Sequence, residues 1–208
     1  RRDVLALTLL ASGSPTPARA RVRGALGHWP RNGFHVQHLL ALRIEVYCDL
    51  YERRPADAWQ RIVTAWGELE DSGFLRLSAR RADALTLRAK AALAVLRAAP
   101  AEHEHLRDVV AGDITQLERE AHAHLRAEAA LLRAGLAACN DDDAASGRHL
   151  DAAVSGFEAT GMCLAAIVVR RLRARSVEAQ TKAEALMRMQ NINDPAAWSC
   201  VVAPGVAR

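Results

Sequence analysis

Aromatic residues make up only 4% of the 208 residues, although half of the chain is hydrophobic. The apolar content is therefore carried mostly by Ala, Leu and Val. No stretch alternates apolar and polar residues with the period of two that a half-buried strand needs. No uncharged apolar run is long enough to span a bilayer, and no secretory leader is visible, so a membrane partner is not expected. The four cysteines, Cys48, Cys139, Cys163 and Cys200, form no Cys-x-x-Cys pair. That pattern fits reduced thiols in a cytoplasmic protein better than a disulfide framework. The phosphate-cradling sequences G-x-x-x-x-G-K-[ST] and G-x-G-x-x-G are missing, as are the nucleophile elbow and the H-R-D and D-F-G signatures of kinases. These absences argue against nucleotide-dependent chemistry, acyl transfer by an activated serine, and phosphoryl transfer. The net charge of +4 comes from 28 basic and 24 acidic residues that are interspersed, too small and too mixed an excess to argue for nucleic acid.

What is present is helix-forming sequence. Ala, Leu, Arg and Glu dominate, and all four have high helix propensity. Residues 34–53 carry the stripe Val36, Leu39, Leu40, Tyr47, Leu50 and Tyr51. Residues 56–72 carry Ala58, Trp59, Ile62, Val63, Trp66 and Leu69, and residues 76–98 carry Leu77, Ala84, Leu87, Ala91 and Val95. Leu150, Val154 and Phe157 share one face further on. Breakers punctuate these stretches in two interleaved sets. Ser12-Gly13-Ser14-Pro15, Arg53-Arg54-Pro55, Ala98-Ala99-Pro100 and Asn140-Asp141-Asp142 form one set, and Pro30-Arg31-Asn32-Gly33, Asp71-Ser72-Gly73 and Thr160-Gly161 form the other. A matching break is expected near Glu120, where no Gly or Pro marks it.

Two breaks in each period of roughly 40 residues predict two helices per period, the signature of an all-α solenoid of stacked antiparallel helix pairs. Tetratricopeptide units repeat at about 34 residues, so these would be longer-armed relatives. Ten helices are expected: 3–11, 16–27, 34–53, 56–72, 76–98, 101–118, 120–138, 143–159, 161–175 and 177–190. The helical domain thus runs over 1–191. The tail, 192–208, follows a cap at Asn191 and a block at Pro195, and its apolar Trp198, Val201 and Val202 are expected to dock on the last helices. The opening on Arg1 rather than Met reads as a fragment of a longer protein.

Candidate chemical groups give way to structural roles. His103 and His105, and likewise His122 and His124, are two apart, which places them on different sides of a helix. His35 and His38 could share a face but lack a third ligand. Asp141, Asp142 and Asp143 lack the spaced ligands and closing Glu of a calcium loop and suit a helix N-terminus. Arg170, Arg171, Arg173 and Arg175 form the densest basic cluster. Met162, Ala165, Ala166 and Val169 lie on the other face of that helix, so the arginines read as a solvated face. Trp59 and Trp66 fit a core stripe, whereas Trp29, beside Pro30, is the better surface aromatic. No catalytic, cofactor-binding or metal-ligating residue is assigned, and no cofactor is expected.

Two stretches carry a family resemblance. One is Phe157, Glu158, Ala159, Thr160, Gly161 and Met162, continuing through Ala165 and Ala166 to Arg170, Arg171 and Leu172. The other runs from Met189, Gln190, Asn191, Ile192 and Asn193 to Asp194 and Pro195, followed by Val202, Ala203, Pro204 and Gly205. With Gly33-Phe34-His35-Val36-Gln37-His38 and Asp57-Ala58-Trp59, they resemble the C-terminal tetratricopeptide-like region of large bacterial serine/threonine protein kinases of the myxobacterial type. Asn191 stands where that family usually has Gly, and its usual Gly-Asp turn becomes Arg53-Arg54 and Asn140-Asp141. The resemblance implies a cytoplasmic signalling context and no catalytic residue, because the kinase domain of such proteins precedes this region. The expected role is a non-catalytic scaffold that binds a protein segment, from a partner or from the parent kinase domain. The alternative is a ligand-sensing helical domain of a bacterial transcriptional activator.

Overall fold

The computed structural model describes residues 2–27, 29, 33–101 and 103–207; for Arg2 and Asp3 it describes the backbone alone. The expected break at Pro30, Arg31 and Asn32 therefore falls outside the described residues. Among those described there are eleven α-helices, one short 3-10 turn and no strand. The helices are α1 (Arg2–Ala11), α2 (Pro15–Leu26), α3 (Val36–Tyr51), α4 (Pro55–Asp71), α5 (Ser78–Ala98) and α6 (Leu106–Glu118), then α7 (Ala123–Cys139), α8 (Asp143–Ala159), α9 (Cys163–Arg173), α10 (Val177–Met189) and α11 (Pro195–Val202). The 3-10 turn, Phe74–Arg76, lies between α4 and α5.

The breakers act through one recurring geometry. Gly13, Arg53, Asp141, Gly161 and Asn191 each adopt a positive φ, between 57° and 82°. In each case the next residue's N–H reaches back to a carbonyl five residues earlier. The pairs are Ser14 to Leu9, Arg54 to Asp49, Asp142 to Ala137, Met162 to Phe157 and Ile192 to Met187, at 2.8–3.1 Å. This closure satisfies helix carbonyls that would otherwise lack a donor. Proline then opens α2, α4 and α11 at a first-turn position where its missing N–H costs nothing. The unmarked break near Glu120 is held differently. The Glu120 carboxylate accepts from the Ser78 hydroxyl and, at 3.0 Å, from Nε of Arg81, both on α5. A tertiary contact fixes that turn, so no local breaker is required.

Helices adjacent in sequence pack against one another from α1 through α10. The odd-numbered helices do more: α1 touches α3, α3 touches α5, and α5 touches α7. The middle of α5 is consequently covered on every side, with residues 89–96 buried without interruption. The single apolar stripe expected there is too narrow a description, and Leu77, placed in it, is 56% exposed. Val63, placed in the α4 stripe, is half exposed: α4 packs mainly on α3, α5 and the 3-10 turn, which leaves one side of it to solvent.

The tail departs most from expectation. Pro195 does more than block the continuation of α10. With Asp194 before it, it also starts a helix: the Asp194 carboxylate accepts from the N–H groups of Ala196 and Ala197 at 3.0 and 2.9 Å. The resulting α11 packs on α9 and α10, and also on α5 and, most heavily, on α3 in the first half of the chain. Asn193 donates from its backbone N–H to the Ala11 carbonyl (3.0 Å) and from its side chain to the Ser12 carbonyl (2.9 Å). The first helical hairpin is thereby tied to the segment after α10. Beyond α11, the backbone at Gly205 lies directly on α7 at Gly135.

Candidate functional site

The tail and the odd helices together border an open pocket of about 520 Å³. Its floor is made by Arg43 and Tyr47 of α3, Ala82, Asp83, Thr86 and Lys90 of α5, and His124, Leu125 and Glu128 of α7. Its walls come from Leu7 and Thr8 of α1, Met162, Leu164 and Ala165 around the start of α9, and Trp198, Val201 and Val202 of α11. A mostly apolar lining with a few placed polar groups is the usual make-up of a ligand site, and the volume lies within the roughly 300–1,000 Å³ typical of such sites.

Two polar features stand out against that lining. Lys90 is only 6% exposed and forms an ion pair with Glu128, Nζ to Oε1 at 2.7 Å. Burial alone would push the ammonium's pKa down; the Glu128 carboxylate and the nearby Tyr47 outweigh it and hold the pKa above its ordinary value. The group is therefore charged throughout the physiological range. The pair uses one of the three N–H donors of Lys90. The second feature is the indole N–H of Trp198, which is buried and has no hydrogen-bond acceptor among the described residues. Buried donors are almost always paired, so an exception calls for a reason.

A second polar cluster lies between α2, α3 and α4. Asp49 is fully buried and accepts from Arg19 (2.7 Å), Arg54 (2.8 Å) and Arg61 (2.5 Å). Glu45 accepts from Arg23 at 2.7 and 3.2 Å, and Glu52 from Arg19 at 2.6 Å. The arginines of α2 and α4 meet the carboxylates of α3, so the cluster locks three helices together. An open groove of about 720 Å³ between α8, α9 and α10 is lined by Arg170 and Arg173. Both are engaged, Arg170 with Glu158 and Arg173 with Asp151 at 3.0 Å.

The residues singled out from sequence fall into structural places. His38 Nδ1 accepts the backbone N–H of His35 at 2.8 Å, at the start of α3. The His103 and His105 rings are 6.3 Å apart in the turn before α6, and the His122 and His124 rings are 5.6 Å apart at the start of α7. No group of three or more His, Cys, Asp or Glu suited to a metal occurs among the described residues. Asp142 caps α8, accepting from the Ala145 N–H at 2.8 Å. Of the basic cluster, Arg171 pairs with Glu184 at 2.9 Å, and Arg175 is exposed. Trp66 packs in the core, donates to Glu70 at 2.6 Å, and lies under the Arg88 guanidinium at 3.7 Å. Trp29 is 43% exposed. The sequence reading missed Lys90, Glu128 and Asp49. Their signal was a lone charge inside an otherwise apolar helical run, at Ala89-Lys90-Ala91 and at Cys48-Asp49-Leu50.

Comparison with family models, with curated proteins and with solved structures finds no match to this chain. Among the described residues, no helix is long and apolar enough to cross a membrane.

Proposed function

We propose that this chain is a non-catalytic recognition module, an α-solenoid of helix pairs whose inner, odd-helix face binds a protein segment. The observation that carries this reading is α11. A short apolar helix already lies across α3, α5 and α9 on that face, with a cavity left open beside it. A surface that seats one short segment of its own chain offers the contacts a second segment needs: an apolar floor, a buried ion pair and polar walls. The segment belongs to a partner or to the parent protein. In the family that the Phe157–Met162 and Met189–Pro195 stretches resemble, the parent carries a serine/threonine kinase domain.

A ligand-sensing role is the second reading. It is favoured by the volume of that pocket, about 520 Å³, which is of small-molecule size.

Selection of a displayed peptide library on the chain tests the first reading. Selected peptides should lose at least tenfold in affinity on Thr86→Arg, which fills the inner face, and keep it on Thr115→Arg, on the exposed side of α6. Failure to enrich any peptide, or equal loss with both variants, would refute it. Retention of a small metabolite in place of peptides would support the second reading.

A further inference from the structure

We infer that the inner pocket seats a second short helix, supplied by another protein and uncharged on the side it turns inward. The inference rests on the inner face being the binding face and names the kind of segment that face accepts.

The conformation follows from the backbone groups that an occupant brings. An extended segment of five residues is about 17 Å long and carries up to about ten main-chain donors and acceptors, each needing a partner once buried. Addition to a sheet edge would supply them, but there is no strand among the described residues. The lining offers few substitutes. Lys90 is paired with Glu128, Asp83 with Arg80, and Arg43 is engaged as well. Thr8 donates to the Val4 carbonyl. The other polar side chains of the lining, Tyr47, Thr86, His124 and Gln190, are too few to replace a sheet edge. A helix bonds its own backbone and asks the surface only for packing.

The pocket suits that packing. α1 lines it with Val4, Leu7, Thr8 and Ala11, α5 with Ala82, Thr86 and Lys90, and α11 with Trp198, Val201 and Val202. Spacings of three and four present the flank of each helix, the ridged surface against which another helix packs. α11 shows the mode: it is a helix of eight residues lying on α3, α5 and α9. The pocket continues that seat, with α11 as one wall. Val4 and Met162, both apolar and on the lining, are left 60% and 38% exposed. Trp198 contributes its ring, since its N–H is buried. The charges of the floor compensate one another, so neither sign is rewarded and a charge buried there is penalised. The inward residues are therefore Leu, Val, Met or Phe at i, i+3, i+4 and i+7. All eleven described helices already pack against neighbours, so the occupant comes from another molecule.

The test uses N-acetylated, C-amidated peptides of about 16 residues, roughly four turns, with that inward pattern and Ala, Gln, Glu or Lys elsewhere. A second pool carries proline at its centre, which breaks the helix. A third carries Lys or Glu at the central inward position. The first pool should bind, and the other two should bind at least tenfold more weakly. Nuclear magnetic resonance of a labelled peptide in the complex should show it helical. Thr86→Arg should weaken the first pool at least tenfold and Thr115→Arg should leave it unchanged, with circular dichroism checking that both variants are folded. Equal binding of the proline pool would overturn the helix inference and, if Thr86→Arg still abolished it, leave the inner-face reading standing. Equal binding of the third pool would overturn the uncharged inward side. Self-association of the chain that Thr86→Arg abolishes would identify the occupant as a second copy, against this inference. Absence of binding by the first pool at about 1 mM would also overturn it, and the inner-face reading would then stand or fall on the unbiased peptide selection and its two variants.

Discussion

Replacing Gly205 by alanine adds one methyl group where the last segment of the chain meets α7. A Cβ built there would lie 2.8 Å from the Cα of Gly135, 3.1 Å from its carbonyl carbon and 3.2 Å from its oxygen. All three are backbone atoms of a packed helix, so no side chain can swing aside. Gly205 is not among the residues of positive φ, so alanine meets no conformational penalty there. By restricting the unfolded chain, the substitution should by itself stabilise by about 0.4–1 kcal/mol. The steric cost opposes this. Overpacking a close contact costs roughly 1–3 kcal/mol, so the net expectation is a loss of about 1–2 kcal/mol. For a domain of this size that corresponds to a fall in Tm of about 2–8 °C. Gly112→Ala is the control: it sits in α6 with nothing within 4 Å of its Cβ, and should stabilise by about 0.5–1 kcal/mol. Calorimetry on the three proteins reads both signs. Hydrogen exchange should show the excess opening of Gly205→Ala in α11 and α7 before the rest. A Gly205→Ala protein that melts at or above the parent temperature would refute the claim that the tail is seated backbone-on-backbone against α7.

Asp49→Ala should destabilise by about 3 kcal/mol in urea melts, the low end for breaking a buried ion pair, because Arg54 and Arg61 can turn to solvent whereas Arg19 cannot; a loss below about 1 kcal/mol would show that Glu45 and Glu52 alone satisfy Arg19. Arg53→Gly should raise stability by up to about 1 kcal/mol, since Arg53 holds a φ of 57° that glycine adopts freely; a lower Tm would show that the Arg53 side chain contributes more than its backbone costs. Alkylation of the native protein at neutral pH should modify the exposed Cys163 first. Cys48 should resist, because burial pushes its thiol up to about 12; mass spectrometry showing equal rates would contradict the packing of α3.

The sequence by itself determined the helices. Composition, the 3.6-residue stripes and the breakers located ten of the eleven, because helix propensity, proline entry and left-handed exits act within a few residues and leave local marks. Asn191, foreseen as a cap, adopts a φ of 63°. Where a boundary depended on distant atoms the marks failed: the Glu120 turn is held by Ser78 and Arg81, more than one helix away. The tertiary structure alone decided where the tail goes and what lies beneath it. Nothing near Asn193 in sequence announces its bonds to Ala11 and Ser12, and nothing near Lys90 announces Glu128, which comes from another helix. Those contacts depend on how whole helices stack. Stacking follows from the sum of many small packing contacts across the molecule rather than from any short pattern, and it laid the chain's own last helix across α3, α5 and α9.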